Sequence, residues 1–189
     1  MPKLYSKTGD KGLTSLYDMS KVEKCDFIFD LLGSVDELSS HIGMLASLIE
    51  EFGNQERAYN YCRYLQSRLL DLGSDIATIK SRKQINSLNQ DDINEIEKEI
   101  DHYSSLVPEL KEFILPGTNI RDSQAHICRS VTRNVERNLW KFKKDHSHLS
   151  IESFIFINRL SDYFFAVARF LSDKEIKRKD FVKVNKANK

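Results

Sequence analysis

Phe27, Leu31, Val35, Leu38, Ile42, Leu45 and Ile49 recur at steps of four, four, three, four, three and four. An apolar seam with a period of about 3.5 residues is the signature of a helix packed in a bundle, and it predicts a helix from Phe27 to about Phe52. Gly53 and Asn54 then supply a stop signal. A second seam uses Ala58, Tyr61, Leu65, Leu69, Leu72, Ile76 and Ile79, and ends near the polar stretch 80–90. A third, shorter one uses Ile93, Ile96, Ile100 and Tyr103, with Pro108 beyond it. The segment FILPGTN, residues 113–119, reads as a Pro-Gly turn. A fourth helix starts near Arg121 or Asp122 and buries Ile127, Val131, Val135, Leu139 and Phe142. The fifth runs from about Ile151 to Leu171 on Phe154, Ile157, Leu160, Phe164 and Ala168. Residues 1–20, with Thr8, Gly9, Gly12, Thr14 and Ser15, show no such period and read as loop. The pattern predicts one all-α domain over residues 1–189. It is a five-helix up-and-down bundle with a loop-like N-terminal segment, 1–20, and a tail, 174–189.

Composition agrees. Of 189 residues 40% are hydrophobic, enough for one continuous core, and 7 glycines with 3 prolines are too few for a many-stranded sandwich. With 29 basic against 28 acidic residues the net charge is +1, so the overall field points to neither nucleic acid nor a membrane surface. From Lys174 onward seven Lys and Arg face two acids, which reads as a solvated basic end. No apolar run approaches the roughly 20 residues of a membrane span, and no secretory segment is visible at the start. The expected location is cytoplasmic. Cys25, Cys62 and Cys128 form no C-x-x-C pair and read as free, buried thiols.

Candidate chemistry lies beside the seams. Arg129, Arg133 and Arg137 are four apart, with His126 three residues earlier, so the three guanidinium groups share one helix face. Like charges so placed repel unless Glu136, an acid on another helix or a polyanion compensates them. A solvated face and an anion site both satisfy this pattern. Asn158, Arg159, Asp162 and Arg169 line the fifth helix among Phe164 and Phe165. Asp36 and Glu37 flank the first seam, where a half-desolvated acid calls for a cation such as Arg129. In SKTGDKGLTS, residues 6–15, glycines allow backbone N–H groups to converge while Lys7, Lys11, Thr8, Thr14 and Ser15 add donors. The spacing is not a Walker A motif, and a simple polar turn fits it too. Metal ligands are unassigned: a di-iron bundle needs two E-x-x-H motifs and only Glu99–His102 has that spacing, while His146 and His148 read as solvated.

Five motifs taken in order carry more than any one. YSKTGDKGLTSLY, LLGSVDELSSHIG, FILPGTN, HICRSVTRNVER and INRLSDYFFAVAR together resemble the PduO-type ATP:cob(I)alamin adenosyltransferases. The resemblance spans residues 4–171. It implies a homotrimer with sites between subunits that hold ATP, Mg²⁺ and a corrinoid. By motif, Ser6, Lys7, Thr8 and Gly9 would cradle the triphosphate, with Thr14, Ser15 and Lys24 adding contacts. Arg133, Glu136 and Arg137, with Asn158, would meet ATP from the fourth and fifth helices. Asp36 and Arg129 match an inter-subunit salt bridge, and Phe113 an aromatic residue that excludes the lower axial ligand of the corrinoid. The implied catalytic set is Asp36, Phe113, Arg129 and Arg133.

The implied reaction is attack of Co(I) on the 5′ carbon of ATP, expelling triphosphate. A reductase and a B12-dependent enzyme are the implied partners. The chain departs from the family pattern at Ser6 for Thr, Asp30 for Glu, Thr118 for Gly and Asn134 for Arg. The last removes one positive charge beside Arg133. Two other readings stay open at this point. One is a non-catalytic ATP- or corrinoid-binding bundle that delivers coenzyme to a partner enzyme; the other is a plain helical scaffold.

Overall fold

The structure, a computed structural model, describes residues 5, 7–53, 55–79, 87–174 and 176–177. Among them are five helices: α1 (Phe27–Phe52), α2 (Glu56–Ile76), α3 (Gln90–Ser105), α4 (Ile120–Phe142) and α5 (Ile151–Leu171). Four short strands accompany them: β1 (Leu13–Ser15), β2 (Lys21–Glu23), β3 (Ile114–Leu115) and β4 (Ile176–Lys177). α4 packs between α1 and α5, α2 covers α1, and α3 covers α5. The seams meet in one core, where Leu31, Leu38, Ile42, Leu45, Leu65, Leu72, Ile96, Leu139 and Leu160 are fully buried. α5 buries Phe156, Ile157, Tyr163, Phe164 and Val167 on several faces at once, which makes it the central helix. The α2–α3 face is closed by Arg57, which donates twice to the buried Glu99 carboxylate, and by the Tyr64 hydroxyl on Asp92 at 2.6 Å.

Side-chain caps set the helix starts. The Asp26 carboxylate accepts from Ile28 N at 3.0 Å to open α1. Asn89 with Asp92, and Asn119 with Asp122, form reciprocal capping boxes at α3 and α4. α1 and α5 have the bounds that their seams predict. α3 begins three residues before Ile93, because its first turn is polar and contributes nothing to a seam. α2 stops at Ile76, short of the predicted Ile79, where Thr78 N turns back to Asp75 O at 3.2 Å.

Four further expectations change. The N-terminal segment is not all loop: β1 and β2 pair antiparallel, Leu13 opposite Glu23 and Ser15 opposite Lys21. Leu16, just past β1, is buried and pins this hairpin to the bundle. The basic end is not wholly frayed, since β4 pairs with β3; residues 178–189 lie outside the described residues. Cys25 is exposed, while Cys62 and Cys128 are buried, and burial pushes the Cys62 thiol up to about 12. His146 and His148 are not simply solvated either. His146 stacks on Phe142 at 4.1 Å, and His148 Nε2 lies 3.2 Å from the Asp75 carbonyl.

Candidate active site

The turn before α4 is held on both sides. Gly117 takes a left-handed φ of 107°, which turns its own N–H, with those of Thr118 and Asn119, onto the Asp122 carboxylate at 3.1, 3.2 and 2.8 Å. Burial raises the Asp122 pKa, but these three donors outweigh it and hold the carboxyl below its ordinary value. On the other side the turn is clasped by the end of α5. Thr118 Oγ1 meets Ser172 Oγ at 3.0 Å and accepts from Asp173 N, and Asn119 Nδ2 donates to Leu171 O at 2.7 Å. Ile114 lies opposite Lys177 in the β3–β4 ladder, and Lys177 pairs with Glu112 at 3.2 Å. The Phe113 side chain nevertheless stands out at 78% exposure, so it is no core residue.

Phe113 faces a cleft of 360 Å³. Its walls are Ile114 and Pro116 beside Phe113, then His126, Arg129 and Arg133 from α4, and Ser161, Asp162 and Phe165 from α5. Burial, and then the neighbouring Arg133, lower the Arg129 pKa from its ordinary value. Burial and Arg129 likewise push buried His126 below the ordinary histidine range, against a smaller upward pull from Asp122. Arg129 Nε donates to His126 Nδ1 at 3.4 Å.

Further along α4, Asn158 Nδ2 donates to Glu136 Oε1 at 3.0 Å, joining α4 to α5. Arg137 donates to Asn134 Oδ1 at 3.1 Å, and Arg159 bridges Asn158 and Glu97. Glu136 is thus engaged by an amide and not by an arginine. Among the described residues none of Arg129, Arg133 and Arg137 forms an ion pair. Among the described residues no acid forms an ion pair with this row, so its mutual repulsion stays uncompensated by such a pair.

The hairpin carries the second set of predicted residues. Lys7 holds a left-handed φ of 62°, Asp10 N returns to Lys7 O, and Gly12 N to Gly9 O at 3.3 Å. Lys24 N bonds Gly12 O at 2.8 Å, and its side chain lies over Gly9. A Cβ on Gly9 would stand 3.0 Å from the Lys24 ammonium, so glycine is what lets that charge settle against the loop. Lys21 Nζ donates to Ser15 Oγ at 2.7 Å, with Thr14 beside it in β1. The hairpin therefore gathers Lys7, Thr8, Gly9, Thr14, Ser15 and Lys24; Ser6 lies outside the described residues.

Asp36 is elsewhere. It lines a separate groove of 270 Å³ with Tyr17, Leu69 and Leu70, sharing no residue with the Phe113 cleft. Among the described residues no ion pair joins Asp36 to Arg129, so they are not a salt bridge within one chain. The sequence reading left Ser161, Phe165 and Asp162 without roles in the cleft. The i, i+4 step from Ser161 to Phe165 was the available sign. No group of three acidic, histidine or cysteine side chains among the described residues could hold a metal ion.

A row of arginines without an ion pair among the described residues, a glycine loop under a lysine and an outward aromatic ring are the cationic and aromatic features of this helical bundle. Comparison with known proteins specifies the class. The model of the cobalamin adenosyltransferase family matches residues 4–171. The corrinoid adenosyltransferase MMAB of Mus musculus is 38% identical over 181 residues, covering 93% of this chain and 75% of that protein. The corrinoid adenosyltransferase of Bacillus subtilis is also 38% identical, over 172 residues, covering 90% and 86%. Among solved structures, a phenylalanine-to-alanine variant of a PduO-type ATP:corrinoid adenosyltransferase from Lactobacillus reuteri, complexed with cobalamin and ATP, superposes with a TM-score of 0.84. It is 33% identical and covers 94% of this chain and 99% of its own. An arginine-to-lysine variant from the same organism, complexed with ATP, gives 0.82 at 34% identity, with 92% and 99% covered. The chain belongs to the cobalamin adenosyltransferase family.

Proposed function

We infer that this protein transfers the 5′-deoxyadenosyl group of ATP to cob(I)alamin or a related corrinoid, releasing triphosphate and forming adenosylcobalamin. The observation that carries this reading is the cleft in which an exposed Phe113 faces Arg129 and Arg133, neither in an ion pair among the described residues. The solved relatives named above hold ATP, one of them with cobalamin as well. In the reaction the electron pair of Co(I) forms a bond to C5′. The C5′–O bond breaks, and its pair leaves with the triphosphate as cobalt becomes Co(III).

The developing negative charge on the leaving group is what Arg133 and Arg137 answer, together with Lys7, Lys24 and the N–H groups of the hairpin. Glu136 and Asn158, already bonded to one another, would orient the nucleoside. Phe113 would fill the space below the corrin and keep out a lower axial ligand, which makes cobalt easier to reduce. The Thr14 and Ser15 hydroxyls of β1 are the oxygen donors that would stand beside a Mg²⁺ carried on the phosphates. It would add charge neutralisation on the triphosphate.

The hairpin with Asp36 and the α4–α5 cleft are two half-sites. We place them together across the interface of a homotrimer, where Asp36 of one subunit meets Arg129 of the next. An electron donor must supply Co(I), and a B12-dependent enzyme would take the product. The test is reduced cobalamin with MgATP, followed by the adenosylcobalamin spectrum. Binding of both ligands without that spectrum would leave a carrier of coenzyme in place of an enzyme.

A further inference from the structure

We propose that His126, as a neutral imidazole protonated on Nε2, is a positioning residue that aims Arg129 into the corrinoid cleft. The inference rests on the functional reading of that cleft and adds to it a residue with no role so far. Three observations meet here. His126 is 8% exposed yet lines the cleft, so it is walled in on its other sides. Its ring lies 6.1 Å from that of Phe165, tilted by 59°, which restricts its rotation. Its Nδ1 is 3.4 Å from Arg129 Nε, and a guanidinium nitrogen can only donate. Nδ1 must therefore be the bare nitrogen, and the proton belongs on Nε2.

The consequence for Arg129 is geometric. Holding Nε from within its own helix leaves both terminal NH₂ groups free to face outward, towards a carboxylate or a ligand. The neutral state is a requirement of the arrangement. A second proton would remove the acceptor and set two cations side by side. The charged groups around the imidazole are Arg129, Arg133 and Asp122 on α4 and Asp162 across the cleft on α5; no charged residue of α1 lines it. Burial and Arg129 together lower the His126 pKa, so the neutral form dominates at neutral pH.

The experiment uses the full chain. In long-range ¹⁵N–¹H spectra the His126 ring should show the Nε2–H tautomer at pH 7.5; an Nδ1–H tautomer or an imidazolium overturns the proposal, whatever the protein catalyses. For kinetics, His126→Leu fills the site without an acceptor, and His126→Asn places a carbonyl oxygen near Nδ1. His126→Leu should lower kcat/KM for the corrinoid about tenfold, the cost of one charge-assisted hydrogen bond, with KM for ATP unchanged. His126→Asn should recover most of that loss. In an Arg129→Ala background His126→Leu should cost nothing more, because the effect passes through Arg129. Equal losses in the two His126 variants, or an undiminished loss in that background, overturn it. Should His126→Leu not fold, the acid limb of the pH–rate profile decides. That limb should disappear in His126→Asn, and its survival there overturns the role.

Discussion

Arg133 is the exposed cation with the fewest competing ties in the cleft, so its removal should be read most directly in the chemistry. Arg133→Ala is expected to weaken ATP and slow transfer by about ten- to a hundredfold, the value of a charge-assisted contact of roughly 1.5–3 kcal/mol. Steady-state kinetics check it; an unchanged kcat/KM returns Arg133 to a solvated face. Phe113 offers the opposite separation. At 78% exposure its ring supports little of the fold, so Phe113→Ala should melt within about 0.5 kcal/mol of the parent. Its Co(II) spectrum with ATP present should nevertheless revert to a five-coordinate form. A four-coordinate signal in the folded variant would rule out ligand exclusion. At this scale the arginine row was legible because helical spacing is regular. Phe113 was not legible from hydropathy, since an apolar residue beside a turn looks the same whether it points into a core or out of it.

At the scale of elements, Asp122 joins the α4 cap to the 113–119 turn through three backbone donors. Its pKa is lower folded than unfolded, so its stabilisation is complete above the unfolded value of about 4 and is lost as pH falls through the folded one. Asp122→Asn should cost about 1–2 kcal/mol at pH 7, and the gap to the parent should narrow below about pH 4. Thermal melts from pH 7 to pH 3 measure it, and a gap that stays constant to pH 3 contradicts the assignment. The bounds of α1 and α5 were readable because their seams run unbroken from cap to end. The β1–β2 hairpin was hidden: three-residue strands are too short for an alternating pattern, and most of their side chains are exposed.

Over the whole molecule, the Asp36 groove and the Phe113 cleft share no lining residue, and periodicity could not have said so. A seam tells which face of a helix is buried and not which helix covers it; that α4 lies between α1 and α5 comes from packing alone. If Asp36 and Arg129 meet between subunits, removing either leaves a charge unpaired in the interface, typically a loss of about 3–5 kcal/mol. Asp36→Ala and Arg129→Ala should each loosen the trimer, while the double variant loses less than the two combined. Sedimentation velocity at micromolar concentration reads this. Additive losses, or a monomeric parent protein, would remove the trimer pair.

The clasp ties the segment that follows α5, residues 172–174 and 176–177, to the 112–119 segment that borders the Phe113 cleft. Ile176 and Lys177 pair with the strand beside Phe113, while Ser172 and Leu171 bond Thr118 and Asn119 in the turn that follows it. A carboxypeptidase nibbling back to Leu171 would leave the five described helices whole and yet remove the bonds that Ser172, Asp173, Ile176 and Lys177 make to the 112–119 segment. Trimmed enzyme should keep its melting temperature better than its turnover, and the choice of which terminus carries an affinity handle becomes a kinetic variable.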